Sequence, residues 1–237
     1  GLAPGNFLSA SIPHEKTLNN HEVRDQLRWE LERKINGDSA DYVIDFAITD
    51  SVCFAFAGRR ALLESIRSPF KRCVADVETA ALYNACDILG ESGKGSSLIV
   101  AVDPEGISSI LVEEGMIYAL ESYPVREEEI ASLAAGFEED NLKSITQTDA
   151  DRFTQYAQES INRICMSAGK NVNDLDALVL AGSCVYFGDL MGGLRETYDT
   201  FITTTNPFKF SAPDSTAVDD RLESKGAAFT SCFGLAA

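Results

Sequence analysis

The run from Ala177 to Arg195 constrains the fold of this chain more than any other. Leu178 to Ala181 is an apolar run of strand length, Gly182-Ser183 makes a tight turn, and Gly188-Asp189 opens a helix that carries Leu190 and Leu194. Strand, glycine turn and helix in that order belong to α/β sheets, which bind ligands at the carboxyl ends of their strands. Backbone N–H groups bared by such a turn, beside a helix N-terminus, suit an anion or a nucleotide. A plain β–α connection has the same spelling, and the run lacks the lysine with which a phosphate loop reads its ligand.

The chain's 237 residues are enough for one large domain or two lobes with a real core. The net charge of −17, from 37 acidic against 20 basic residues, repels phosphate backbones and anionic headgroups. Nucleic acid is therefore excluded as a partner, and membrane association is expected only through another protein. The six cysteines (Cys53, Cys73, Cys86, Cys165, Cys184, Cys232) form no C-x-x-C pair, which excludes a zinc or dithiol signature and fits the reducing cytoplasm. No apolar run approaches the roughly 20 residues of a membrane span. The start at Gly1-Leu2 rather than Met is expected of a trimmed or processed chain.

In chain order, residues 7–13 alternate as a strand, and a helix capped by Asn19 or Asn20 follows, with Val23, Leu27 and Leu31 on one face. Trp29 falls off that stripe and is read either as core packing or as a contact. His14 and His21, lacking a carboxylate or cysteine cluster, are read as surface residues. Residues 42–48 and 52–57 form an antiparallel pair, and residues 61–66 a helix stopped by Ser68-Pro69. A brief strand over 72–76 leads to a helix over 77–89 with Ala81, Ala85, Cys86 and Leu89 inward. The glycine-rich stretch 90–96 reads as the linker between lobes.

Residues 98–102, 108–112 and 116–120 then read as a β-meander. An acidic passage over 126–151 carries a weak helical signal at 130–135. Thr148-Asp149 caps a long helix with Phe153, Ala157, Ile161, Ile164 and Cys165 buried, ended by Gly169. After the opening run come a strand at 201–205, a turn at Asn206-Pro207-Phe208, a loop over 211–222 and a small-residue helix over 225–235. The acidic pairs Asp174/Asp176, Glu138–Asp140 and Asp219-Asp220 lack EF-hand spacing, so no metal site is expected.

The wording of several segments adds to this order of elements. Asn20-His-Glu-Val-Arg-Asp-Gln-Leu-Arg-Trp-Glu30 followed by Asp41-Tyr-Val-Ile-Asp-Phe46 resembles the PilM family of type IV pilus assembly proteins, where a helix ending in Arg-Trp-Glu precedes a similar strand. Val74-Ala-Asp-Val-Glu-Thr-Ala-Ala-Leu82 is similar to that family's segment between the lobes, and Leu178-Val-Leu-Ala-Gly-Ser183 to its adenosine loop. The resemblance runs from residue 11 onward. It implies an α/β, two-lobed, actin-like (ribonuclease H-like) fold, incomplete in the first lobe because the strands bearing the first phosphate loop would lie before Gly1. The expected division is a partner-binding first lobe over 1–92, a second lobe over 93–210, and a C-terminal segment over 211–237 returning toward the first lobe.

The same resemblance places nucleotide contacts at Asp103, Gly106, Gly182 and Ser183, and the sequence departs from the family there. In Val102-Asp-Pro-Glu-Gly-Ile-Ser-Ser109, Pro104 has no N–H and Glu105 sets a negative charge where a phosphate would lie. Ser183 stands for a second glycine and adds a side chain where the backbone should approach closely. The function implied is a cytoplasmic scaffold at the inner membrane with no catalytic residues and no resident cofactor, ATP with magnesium being the one ligand the fold would admit. Its partner would be the short tail of a PilN-like inner-membrane protein. The tail would be held near Trp29, Leu27, Val43 and Phe46. The alternative is an active actin-like ATPase or sugar-kinase-like phosphotransferase using Asp103. A hydrolase built on Ser183 or Cys184 is disfavoured, since the spacing is not G-x-S-x-G and no histidine follows.

Overall fold

The computed structural model describes residues 6–48, 52–67, 77–90, 95–103, 106–124, 147–186, 189–210, 227 and 230. The first sheet contains β1 (Phe7–Pro13), β2 (Tyr42–Ile48) and β3 (Val52–Arg59), antiparallel in the order β1-β3-β2. Helix α1 (Asn20–Glu32) lies on one face. Its start is set by a capping box: Asn19 Oδ1 accepts from the N–H groups of His21 and Glu22, and Glu22 Oε2 accepts from Asn19 N–H at 2.9 Å. Val23, Leu27 and Leu31 are fully buried against Ala10, Cys53, Ala55 and Ala57. Small residues on that face of β3 let the helix come close, while the alternate positions Phe54 and Phe56 face the other way. There Phe7, Phe56 and Val77 pack with Leu62 and Leu63 of α2 (Arg60–Arg67).

β2 is an edge strand, and Phe46 N–H on its free side donates to Asp45 Oδ1 at 2.8 Å.

The second sheet joins β4 (Ser96–Asp103), β5 (Gly106–Glu113), β6 (Met116–Pro124), β7 (Ala177–Ala181) and β8 (Ile202–Thr204) in the order β6-β5-β4-β7-β8. The first three form an antiparallel meander, and β7 and β8 add in parallel beyond β4. β4 is buried on both faces, which explains its unbroken apolar run. On one side lie α4 (Gln147–Ser167) and α5 (Leu190–Thr197), with Phe153, Ile161, Ile164, Leu190 and Leu194 against Leu98, Val100 and Leu178. On the other lies α3 (Glu78–Ile88), with Leu82 and Cys86 against Ile99, Ala101, Ile110 and Val179. Gly169, with φ 65°, ends α4 as Lys170 N–H returns to Cys165 O at 2.8 Å.

Several expectations change. α3 precedes the 90–96 linker, and its Leu82 and Cys86 pack on the second sheet while Val77 and Ala80 at its start pack with Phe7, Phe56, Leu62 and Leu63. Trp29 is not core: it is 57% exposed. His14 is half-buried, whereas His21 is a surface residue paired with Asp25 at 2.9 Å. Thr148 and Asp149 lie inside α4 rather than capping it. Cys53, Cys86, Cys165 and Cys184 are buried thiols outside any disulfide. The strand over 72–76, the helical signal at 130–135, the acidic pairs beyond Asp174/Asp176, Cys73, Cys232 and most of the 225–235 helix fall outside the described residues, as do Pro104 and Glu105. Among the described residues no helix is long and apolar enough to cross a membrane.

The α1 core yields a first expectation. Leu27→Ala should cost about 2–5 kcal/mol of stability in denaturant unfolding, as truncation of a buried leucine does where the site cannot collapse.

Candidate functional site

β4 and β7 run parallel with Ala101 opposite Ala181, so their carboxyl ends deliver Asp103 and Gly182 to the same place. The β4–β5 hairpin pairs Asp103 with Gly106. The four residues expected at a nucleotide are thus gathered at one edge of the second sheet, and the chemistry of that edge is now visible.

Gly182 has φ 93°, and a Cβ there would lie 2.4 Å from Val102 O and 2.7 Å from Val102 N. Only glycine fits so close an approach. Its N–H donates to Ala227 O at 2.9 Å. Ser183 donates twice to Asp103 Oδ1, from its N–H and from its Oγ, each at 2.7 Å. Thr205 and Thr230 hydroxyls bond to each other alongside. The backbone donors of the glycine turn are therefore committed to the protein itself, and one oxygen of Asp103 is held by the turn. Beyond Ser183 the chain makes a short 3-10 turn, Ser183–Tyr186, before α5, an insertion the sequence pattern did not reveal. At the N-terminus of α5, where an anion would bind, the Asp189 carboxylate already accepts from Gly192 N–H at 3.0 Å. Among the described residues no three His, Cys, Asp or Glu side chains gather as a metal site.

The residues expected at a partner do not share one surface. Leu27 is buried between α1 and the sheet. Phe46 turns toward α1, with the Arg24 guanidinium 5.5 Å from its ring centre. Val43, 40% exposed, points to the opposite face of β2. Trp29 stands on the outer face of α1 with the Arg33 guanidinium 5.0 Å from its ring centre, a cation–π pair at a solvent-facing site. A cleft of about 530 Å³ opens between Asn36, Asp41, Tyr42, Arg59, Arg60 and Glu64. Arg60 Nε donates to Ala40 O at 3.4 Å across it. The signal for this cleft was the Arg59-Arg60 pair at the end of β3, which sequence reasoning passed over.

No protein-family model and no curated protein matches the sequence. In structure the chain is similar to a chain of the PilM-PilN type IV pilus biogenesis complex, with a TM-score of 0.63 at 20% identity, over 97% of this chain and 75% of that one. It is also similar to a Bacteroides thetaiotaomicron protein with an actin-like ATPase fold and unknown function, with a TM-score of 0.54 at 13% identity, over 84% of this chain and 65% of that one. The chain thus has the actin-like ATPase fold, spanning three quarters of the first structure and just under two thirds of the second.

The glycine turn supplies a second expectation. In denaturant titration Gly182→Ala should lower stability by about 3 kcal/mol or more, from the left-handed backbone and the clash with β4. Ser183→Ala should lower it by only about 1 kcal/mol, since one of two bonds to Asp103 remains.

Proposed function

We propose that this chain is a scaffold of a type IV pilus or secretion-type assembly machine, binding the cytoplasmic tail of a PilN-like inner-membrane partner and binding nucleotide weakly or not at all. The likeness to a chain of the PilM-PilN complex supports the assembly role. The observation that carries the nucleotide part is the closed set of bonds at the sheet edge: Asp103 Oδ1 is taken by Ser183, Gly182 N–H by Ala227, and the α5 terminus by Asp189. A phosphate or adenine would have to displace these bonds rather than find donors waiting. The negative charge of the chain, −17, adds a further penalty for an anionic ligand. Such a protein would work in the cytoplasm and reach the inner membrane through its partner.

For the partner, the outer face of α1 around Trp29 and Arg33 is the natural contact. An exposed tryptophan beside an arginine has the composition of an interface hot spot. Of the other expected residues, Phe46 lies on the α1 side of β2, Val43 on the opposite side, and Leu27 serves only by holding α1 in place.

The active ATPase or phosphotransferase reading keeps one favourable observation, an acidic residue, Asp103, at the carboxyl end of a central strand. Calorimetric titration separates the two. Magnesium and ATP should give no saturable heat below about 1 mM; a micromolar Kd would sink the nucleotide-poor reading. Independently, capture of a PilN-like cytoplasmic tail peptide should fall at least tenfold on Trp29→Ala, about 1.4 kcal/mol of binding. Unchanged capture would remove α1 from the contact.

A further inference from the structure

The junction of β3 and α2 sets two arginines side by side on the cleft described above. β3 ends at Arg59 and α2 begins at Arg60, so no loop separates the two guanidinium groups. Arg59 pairs in register with Tyr42, the first residue of β2, and Tyr42, half-buried against the α1 core, makes a fixed wall of the cleft. The volume, about 530 Å³, is that of a pocket for a few side chains. Arg60 Nε reaches Ala40 O in a long bond, 3.4 Å, which uses one of the five N–H donors of that guanidinium. Asp41 and Glu64 stand on the same lining, yet among the described residues no carboxylate forms an ion pair with Arg59 or Arg60. Glu64 follows Arg60 by one turn of α2, the less favourable order for such a pair. The charge of the chain is also unevenly spread. Residues 1–73 hold ten basic and ten acidic side chains, so the whole net charge of −17 belongs to residues 74–237. The later part of the chain repels an anionic partner, and the part that builds the first sheet, neutral overall, does not.

We infer that this cleft is a docking site for an acidic peptide segment of a protein partner, with Arg59 and Arg60 receiving its carboxylates. A guanidinium presents N–H donors in a planar fork that matches the two oxygens of a carboxylate, and neighbouring arginines can hold two such groups. Since neither arginine is in an ion pair with the protein's own carboxylates, a docking carboxylate displaces water and no internal salt bridge. Asp41 and Glu64 limit how much negative charge the cleft accepts. They repel a phosphate monoester, which gathers close to two charges on one small group, more than a carboxylate, which carries one. The ligand class is therefore a sparsely acidic segment rather than a polyanion. None of the lining residues belongs to α1, so the site goes beyond the tail contact at Trp29 and stands apart from it.

Fluorescence-anisotropy titration of the whole chain tests the cleft. The probe is a short fluorescein-labelled glycine–serine peptide carrying a pair of glutamates, compared with a twin carrying glutamines, at about 50 mM salt, where screening is modest. The glutamate peptide should bind about fivefold more tightly or better, the combined yield of two exposed charge pairs. In the double variant Arg59→Gln, Arg60→Gln that preference should vanish. Both side chains are exposed, so the fold should survive the change. Charge reversal, Arg59→Glu with Arg60→Glu, should move the preference to a third peptide carrying a pair of lysines, a switch that mere damage to the fold would not produce. Trp29→Ala should leave the glutamate preference as it was. Equal binding of the twins by the unaltered chain overturns the inference, as does a preference that survives in the glutamine variant or is lost in Trp29→Ala. A charge-reversed variant without the switch overturns it too. So does displacement of the glutamate peptide by inorganic phosphate at a lower concentration than by acetate, which would make the cleft a phosphate site.

Discussion

The approach of Gly182 to the end of β4 is the contact on which the working edge of the second sheet depends. Parallel pairing of β4 with β7 sets Ala101 against Ala181, and the chain must then leave β7 within a side chain's width of Val102. A residue without Cβ, in a left-handed conformation, is the only solution. Everything downstream inherits its direction from that exit. The 3-10 turn, the Asp189 cap and the seating of α5 on α4 follow in sequence, the last helped by Gly193, where a Cβ would lie 2.9 Å from Thr154 Cγ2.

At the same edge, polar groups that an open ligand site would leave facing solvent are joined to one another. Ser183 is the residue that makes the difference, because its hydroxyl and its N–H converge on one carboxylate oxygen. A second glycine there would supply the N–H alone. The edge is thus a small hydrogen-bonded closure, tied to the C-terminal part of the chain through Ala227 and Thr230. The two sheets differ in make-up: on the first, the α1 stripe seats on small residues while Leu62 and Leu63 of α2 pack the other face, and the second carries longer helices on both faces.

What could be read ahead of the structure follows from range. The buried stripe of α4, the Asn19 cap of α1 and the left-handed close of α4 at Gly169 are local, repeating or stereochemical signals, and each stands where the residues implied. The resemblance had set Asp103, Gly106, Gly182 and Ser183 together, and the convergence of strand ends in an α/β sheet is the physical reason they meet. The allegiance of α3 was not legible: Leu82 and Cys86 would suit either sheet, and composition alone does not say which one they meet. The residues expected at a partner are divided between surfaces for the same reason. Val43 and Phe46 are close in sequence but of opposite parity in a strand, and Trp29 shows its surface position only once the helix is docked. That Arg59 and Arg60 come to share a cleft with Asp41 depends on separate segments meeting, which no stretch of sequence displays.

The Asp45 carboxylate on β2 has a meaning beyond its own strand. By accepting from Phe46 N–H it occupies a donor that the sheet leaves unpaired, and it hangs a charge beside the open margin. A neighbouring molecule trying to lengthen the sheet by docking its own strand would meet a blocked rung and a repelling anion. Charge on an exposed edge strand is one way a sheet resists edge-to-edge pairing, and Asp45 puts it there.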